Sequence, residues 1–197
     1  DIVRKGILER DIVVGNALIG MYAKCGFLRK AQVVFNSLLV RDVITWNTLI
    51  AGYTQSGESE NAFDIFEKMR VSSEQPDMVT FLTLLNACTQ VGMLLKGHVY
   101  YEVMRKDYGI TPMLKHHTCM VNLVCRIGHL ATAVSMVDQM GSYPDHVIWH
   151  CILDASRKWG NKMLSKKAYE NIMELEDKDP SPYVLMCSMY ADPTLML

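Results

Sequence analysis

Five glycines, Gly26, Gly57, Gly92, Gly128 and Gly160, follow one another at spacings of 31, 35, 36 and 32 residues. A second and chemically unrelated set, Asp11, Asp42, Asp77, Met113 and Asp145, keeps the same four uneven spacings. Two residue types holding one irregular register require an internal repeat of a supersecondary unit, which narrows the possible folds more than composition does.

The positions between the anchors have helical spacing. Leu18-Ile19, Leu49-Ile50, Leu84-Leu85, Met120-Val121 and Ile152-Leu153 stand one turn before Tyr22, Tyr53, Cys88, Val124 and Ser156. This makes an apolar stripe on a first helix. The opening Asp can cap the free N–H groups of that helix, and the Gly can end it in a left-handed conformation. A second helix follows each Gly. Five residues on comes a small side chain (Ala31, Ala62, Gly97, Ala133, Ser165), suited to close helix approach, and nine residues on a bulky one (Phe35, Phe66, Tyr101, Val137, Tyr169). A helical hairpin of this kind buries its apolar face only by stacking on its neighbours. The expected fold is all-α, an α-solenoid of about five stacked hairpins.

Composition agrees with this. Half the residues are apolar, and 14 Met and 9 Tyr against 12 Gly and 6 Pro favour helices over many-turned β structure. The net charge of −1 argues against a protein that coats DNA through a global positive field, so nucleic-acid contact has to rest on locally placed groups. Cys25, Cys88, Cys119, Cys125, Cys151 and Cys187 form no C-x-x-C pair, and reduced thiols are expected. No apolar run has the length of a membrane span. His116, His117, Cys119 and Cys125 lie close together, but their spacing is unlike a zinc site, and most of the cysteines fall in first-helix columns where a thiol packs as a small apolar group. No nucleophile–base arrangement or phosphate loop is present, so no enzyme activity and no cofactor are expected. Both ends read as cut within a repeat, and any targeting leader is expected to lie outside this sequence.

The stretches DIVVGNALIGMYAKCGFLRKAQVVFNSLLVR, DVITWNTLIAGYTQSGESENAFDIFEKMRVSSEQP and DMVTFLTLLNACTQVGMLLKGHVYYEVMRKDYGITP resemble the short, standard and long motifs of the plant pentatricopeptide repeat family. MLKHHTCMVNLVCRIGHLATAVSMVDQMGSYP is similar to its final short motif, and DHVIWHCILDASRKWGN to a C-terminal E-type motif. The resemblance divides the chain into residues 1–10 (tail of a preceding repeat), 11–41 (short), 42–76 (standard), 77–112 (long), 113–144 (final short), 145–179 (E-type) and 180–197 (truncated second E-type).

The resemblance implies sequence-specific binding of single-stranded organellar RNA, in a mitochondrion or chloroplast. It points to site recognition for C-to-U editing, with the cytidine deaminase supplied in trans. Two side chains per repeat would read one base: Asn16 with Asp42, Asn47 with Asp77, and Thr118 with Asp145. The family's code gives U, then C, to the first two pairs and G to the third. Leu82 with Met113 has no hydrogen-bonding capacity, and His150 matches no reading pair.

Two further columns flank these. Lys24, Gln55, Gln90, Arg126 and Lys158 stand two residues before each Gly, and the cations Lys24, Arg126 and Lys158 suit phosphate contacts as well as they suit a solvated helix C-terminus. Val13, Ile44 and Val79, three residues before the reading column, suit either sandwiching of bases or the core. The alternative function is a helical-repeat scaffold that binds a peptide or partner helix.

Overall fold

The computed structural model describes residues 11–140, 143–175 and 180–191. The tail at residues 1–10 and the end of the last interval, 192–197, lie outside the described residues. All regular structure among the described residues is helical.

Two helices fall in each of the five intervals between residues 11 and 179. They are α1 (Ile12–Lys24) and α2 (Leu28–Ser37), α3 (Val43–Gln55) and α4 (Ser59–Arg70), α5 (Met78–Val91) and α6 (Leu94–Lys106), α7 (Leu114–Arg126) and α8 (Leu130–Asp138), and α9 (His146–Lys158) and α10 (Lys162–Glu174). A final helix, α11, spans Ser181–Ala191. The chain forms two compact units, residues 1–91 with 95–112, and residues 92–94 with 113–197.

Local chemistry explains the helix ends. The Asp11, Asp42 and Asp145 side chains accept from backbone N–H groups in the first turns of α1, α3 and α9, and Asp77 does the same for α5. Each such cap contributes about 1 kcal/mol. Met113 has no cap oxygen, and the Nδ1 of His116 accepts from the Met113 N–H instead. At the other ends, the five repeat glycines have φ between 71° and 85°. The N–H after the glycine then bonds back five residues, as in Phe27 to Tyr22, Glu58 to Tyr53, His129 to Val124 and Asn161 to Ser156. This closes α1, α3, α7 and α9 as Schellman turns and fixes the angle at which the helix after each one starts.

In the first unit α1 packs on α2 and α3, α3 on α4 and α5, and α4 on α5. The small-residue column works as anticipated: Ala31 and Ala62 are fully buried. Gly52 on α3 lies so close to α1 that an added Cβ would stand 2.7 Å from the Cβ of Ala23. Aromatic rings meet within a core that also holds Ile19, Leu49, Ile50, Leu84 and Leu85. Phe35 meets Trp46 edge-on, Phe66 meets Phe81, and Tyr100 fits against Phe63 and Phe66. Here the bulky column needs a correction: Tyr100 is the buried ring of α6, at 5% exposure, while Tyr101 is only half-buried, with Arg105 over its face. The slot left by Phe63 and Phe66 accepts one ring from α6, and Tyr100 occupies it.

In the second unit α7 packs on α8 and α9, α8 on α9, α9 on α10, and both α9 and α10 on α11. Its core is mainly aliphatic, with Val121, Val124, Val137, Ile148, Ile152, Leu153 and Ile172 around Trp149. The hydroxyls of Ser156 and Ser165 meet at 2.7 Å, so two buried polar groups satisfy each other where the small-residue column carries Ser. Trp159 closes the end of α7: its indole N–H donates to the Cys125 carbonyl at 3.2 Å. Its ring lies where any Cβ on Gly128 would come within 2.9 Å, at a φ of 85° that itself favours glycine. Among the described residues no helix is long and apolar enough to cross a membrane.

Candidate nucleic-acid interface

Asn16 and Asp42 are 26 residues apart, and the Asn16 Nδ2 donates to the Asp42 Oδ1 at 3.3 Å. One repeat later the Asn47 Nδ2 donates to the Asp77 Oδ1 at 2.9 Å. Each bond links the first helix of one hairpin to the residue that opens the next.

In both pairs a single carboxylate oxygen takes all the bonds. Asp42 Oδ1 accepts from the Thr45 N–H at 2.8 Å, the Thr45 hydroxyl at 2.7 Å and Asn16. Asp77 Oδ1 accepts from the N–H groups of Val79 and Thr80, the Thr80 hydroxyl and Asn47. Among the described residues the Oδ2 of each Asp carries no hydrogen bond. Burial pushes the Asp42 carboxyl up, but the bonds from the Thr45 hydroxyl and amide and from Asn16 outweigh it and hold the group below the ordinary carboxylate value. Asp77 behaves alike: burial raises it, and the Thr80 amide, Asn47, the Thr80 hydroxyl and Val79 together lower it further. Both groups are therefore ionised acceptors at neutral pH.

The third expected pair is arranged differently. The Thr118 hydroxyl donates to the Leu114 carbonyl one turn back, at 2.9 Å, and Asp145 caps α9 through the Ile148 N–H. Among the described residues no hydrogen bond joins Thr118 to Asp145. A hydroxyl is short and has one proton, and the i−4 carbonyl of its own helix is within easy reach.

Val13, Ile44 and Val79 are 72%, 58% and 49% exposed, so these side chains are not core. Lys115 and Val147, in the same column later in the chain, are exposed too. Lys24, Gln55, Gln90, Arg126 and Lys158 are all exposed at the last turns of the first helices. Lys24 and Arg126 make no ion pair among the described residues, and Lys158 lies over the Trp159 ring at 5.5 Å. Cys88, Cys119 and Cys125 are buried, and burial pushes their thiols up to about 12, so they act as neutral packing groups.

Two features escape a reading of the columns. In the second unit Arg126 and Lys158 stand on the rim of a cleft of about 460 Å³, together with Asn122, His150 and Asp154. Its depth comes from packing of α7, α9 and α11, which column positions do not reveal. The other is the threonine three residues after Asp42 and Asp77. Its signal was in the sequence as a D-x-x-T capping pattern, found at Thr45 and Thr80 and replaced elsewhere by Val14, His116 and Ile148. Thr80 reaches beyond its own helix: its hydroxyl donates to the Asn47 Oδ1 at 2.6 Å.

Comparisons with known proteins agree with this architecture. Models described as PPR repeat family and PPR repeat match residues 41–90, and residues 16–43 and 79–108. A pentatricopeptide repeat-containing protein of Arabidopsis thaliana is 40% identical over 93% of the chain, which covers 26% of that relative. Two others from the same plant, named chloroplastic and mitochondrial, are 40% and 39% identical over 89% and 93% of the chain. The chain spans about a quarter of the length of these curated relatives. Among solved structures, the maize pentatricopeptide repeat protein PPR10 in complex with an 18-nt psaJ RNA element superposes with a TM-score of 0.83, at 21% identity, over 97% of this chain and 28% of that one. The PPR domain of Arabidopsis thaliana protein-only RNase P 1, in complex with tRNA, gives 0.69 at 18% identity over 88% of this chain and 95% of that one. The last two establish a common fold, and with the matches in sequence they lead to one statement: residues 16–108 of the chain carry pentatricopeptide repeats.

Proposed function

We propose that this chain binds single-stranded RNA one base per repeat, as the recognition part of an organelle RNA-processing factor that selects cytidines for C-to-U editing. The observation that carries the reading is the pair of cross-repeat bonds, Asn16 to Asp42 and Asn47 to Asp77, each leaving one carboxylate oxygen unbonded.

The chemistry of the pairs supports the bases assigned. An asparagine amide has two N–H donors, and the Asp engages one of them. What remains is a donor beside a carboxylate acceptor. Uracil, with a carbonyl next to N3–H, complements that edge, and cytosine does so through N3 or O2 and its amino group. Thr118 has committed its proton to Leu114 and keeps only lone pairs. With the Asp145 carboxylate it forms two acceptors, which suit the adjacent N1–H and amino group of guanine. Exposed Val13, Ile44 and Val79 are free to stack against bases, and the Lys24, Arg126 and Lys158 column to meet phosphates. The RNA-bound maize protein and the tRNA-bound RNase P domain support RNA as the ligand. The relatives named chloroplastic and mitochondrial support an organelle. Residues 145–179, read as an E-type motif, would position a deaminase supplied in trans.

The test is a titration against single-stranded oligonucleotides. With the first repeat on the 5′ base, the expected preference is for 5′-pyrimidine-pyrimidine-N-G-3′, with U favoured at the first two places. Equal binding to a scrambled strand, or to the same sequence in a duplex, overturns the reading.

A further inference from the structure

The two Asn/Asp pairs would read the same base, yet they are built differently. The Asn47 amide is fixed at both ends: Nδ2 donates to Asp77 at 2.9 Å, and Oδ1 accepts from the buried Thr80 hydroxyl at 2.6 Å. Asn16 is held at one end only. Its Nδ2 reaches Asp42 at 3.3 Å, and its Oδ1 is shielded from solvent and has no hydrogen-bond partner. Thr45 occupies the position equivalent to Thr80, but its hydroxyl lies 2.7 Å from the Asp42 carboxylate and makes no bond to Asn16. At Thr80 the order is reversed, with the amide oxygen at 2.6 Å and the carboxylate at 3.0 Å. A hydroxyl has one proton to give, so the shorter contact claims it.

From this geometry we infer that Thr80 is a positioning residue for base choice, locking the Asn47 amide with its nitrogen side as the only face a base can use. The inference rests on the RNA-binding reading above. An asparagine side chain with both ends free can rotate by 180° and exchange donor for acceptor. For Asn16 that exchange breaks one long bond of 3.3 Å and turns the carbonyl oxygen toward the Asp42 carboxylate, but its other end has no bond to lose. For Asn47 it would set the amide nitrogen against the Thr80 hydroxyl, and the carbonyl oxygen against the Asp77 carboxylate, with no proton between the two oxygens. Asn47 is therefore confined to a donor toward the base and rejects bases that present N–H groups there. Asn16, held by one longer bond, is fixed less firmly and tolerates more bases. The strictness of a repeat thus depends on a residue of the next repeat that touches no RNA.

The experiment uses the full chain and oligonucleotides containing 5′-UUAG-3′, with U or G at the first or the second place. The wild-type protein should discriminate U from G more strongly at the second place, read by Asn47, than at the first. Thr80→Val should reduce that second-place preference about fivefold, the worth of one orienting hydrogen bond, and leave the first place unchanged. Thr80→Ser keeps the hydroxyl and should restore it. Thr45→Val is the matched control: it removes an equivalent capping hydroxyl, and first-place preference should survive. Thermal unfolding of all three variants separates this from loss of the fold. Equal loss of preference in Thr45→Val and Thr80→Val, or no loss in Thr80→Val, overturns the assignment while leaving RNA binding intact. A wild-type protein without pyrimidine preference at either place overturns the RNA reading itself, and this inference falls with it.

Discussion

The reading positions of the first unit and of the second differ in where their hydrogen bonds go. Asn16 and Asn47 reach out of their helices to the Asp that opens the next repeat, whereas Thr118 turns back onto its own helix at Leu114. The amide is long enough and has protons enough to bridge two hairpins, and the hydroxyl is neither. The same column therefore serves as a link between repeats in one place and as an isolated acceptor in the other. On the proposed reading, a residue at this position would set both what the repeat presents to a ligand and how firmly two repeats are joined.

The largest effect expected from this comparison is on stability. Asp77→Ala removes the first-turn cap of α5 and strips the buried Asn47 amide of its acceptor, a loss of about 3 kcal/mol. Asp145→Ala removes one cap bond and should cost about 1 kcal/mol. Denaturant unfolding of the two variants measures the difference, and equal losses would break the comparison.

Acid should reveal the same contrast. The Asp42 and Asp77 carboxyls lie below their ordinary value, so their stabilising contribution is complete above the unfolded carboxylate pKa of about 4 and is lost as pH falls through the lower folded value. The double variant Asp42→Asn, Asp77→Asn lacks these groups. It should be less stable at neutral pH and lose less than the wild type on acidification, followed by the helical circular dichroism signal. A parallel acid response in the two proteins would show that the pairs do not govern it.

Base choice should shift next. Thr118→Asn, with Asp145 kept, replaces an acceptor by a donor and should move the preferred final base from G toward U at similar overall affinity. A uniform loss of affinity would make Thr118 a structural residue only. The smallest effect is expected from Arg126→Ala, which should weaken binding to all sequences alike and lower the salt slope by about one counterion. A change of base choice in that variant would mean that the reading and phosphate columns have been exchanged.

Much of this architecture can be read from the sequence because each anchor has its own physical cause. The Asp caps a helix, the Gly closes one, and the small residue permits close approach, so the register follows from three separate requirements. The partners of the reading positions follow from that register, and the bonds of Asn16 and Asn47 run to the residues so identified. Burial was harder to read where two candidates are adjacent: Tyr100 rather than Tyr101 fills the slot beside Phe66, because the facing rings decide which is admitted. The roles of Val13, Ile44 and Val79 were equally open, since an apolar side chain suits either a core or an exposed stacking face, and only the packing of the helices shows that they are exposed. The missing Thr118–Asp145 bond was beyond reach for a different reason. Column position fixes which residues are neighbours, but not which of several acceptors a lone hydroxyl proton selects.

The Asp that opens a repeat holds its helix with one oxygen and keeps the other unbonded, and this has a bearing on how such chains diverge. A change at that Asp disturbs folding before it changes any ligand, so the position should drift slowly. The reading residue before it carries no such duty when it is Thr, and only a shared one when it is Asn. New targets should therefore arise mostly through substitutions on the helix face, with the carboxylate retained. A lineage could in this way alter its recognition one repeat at a time while every intermediate still folds.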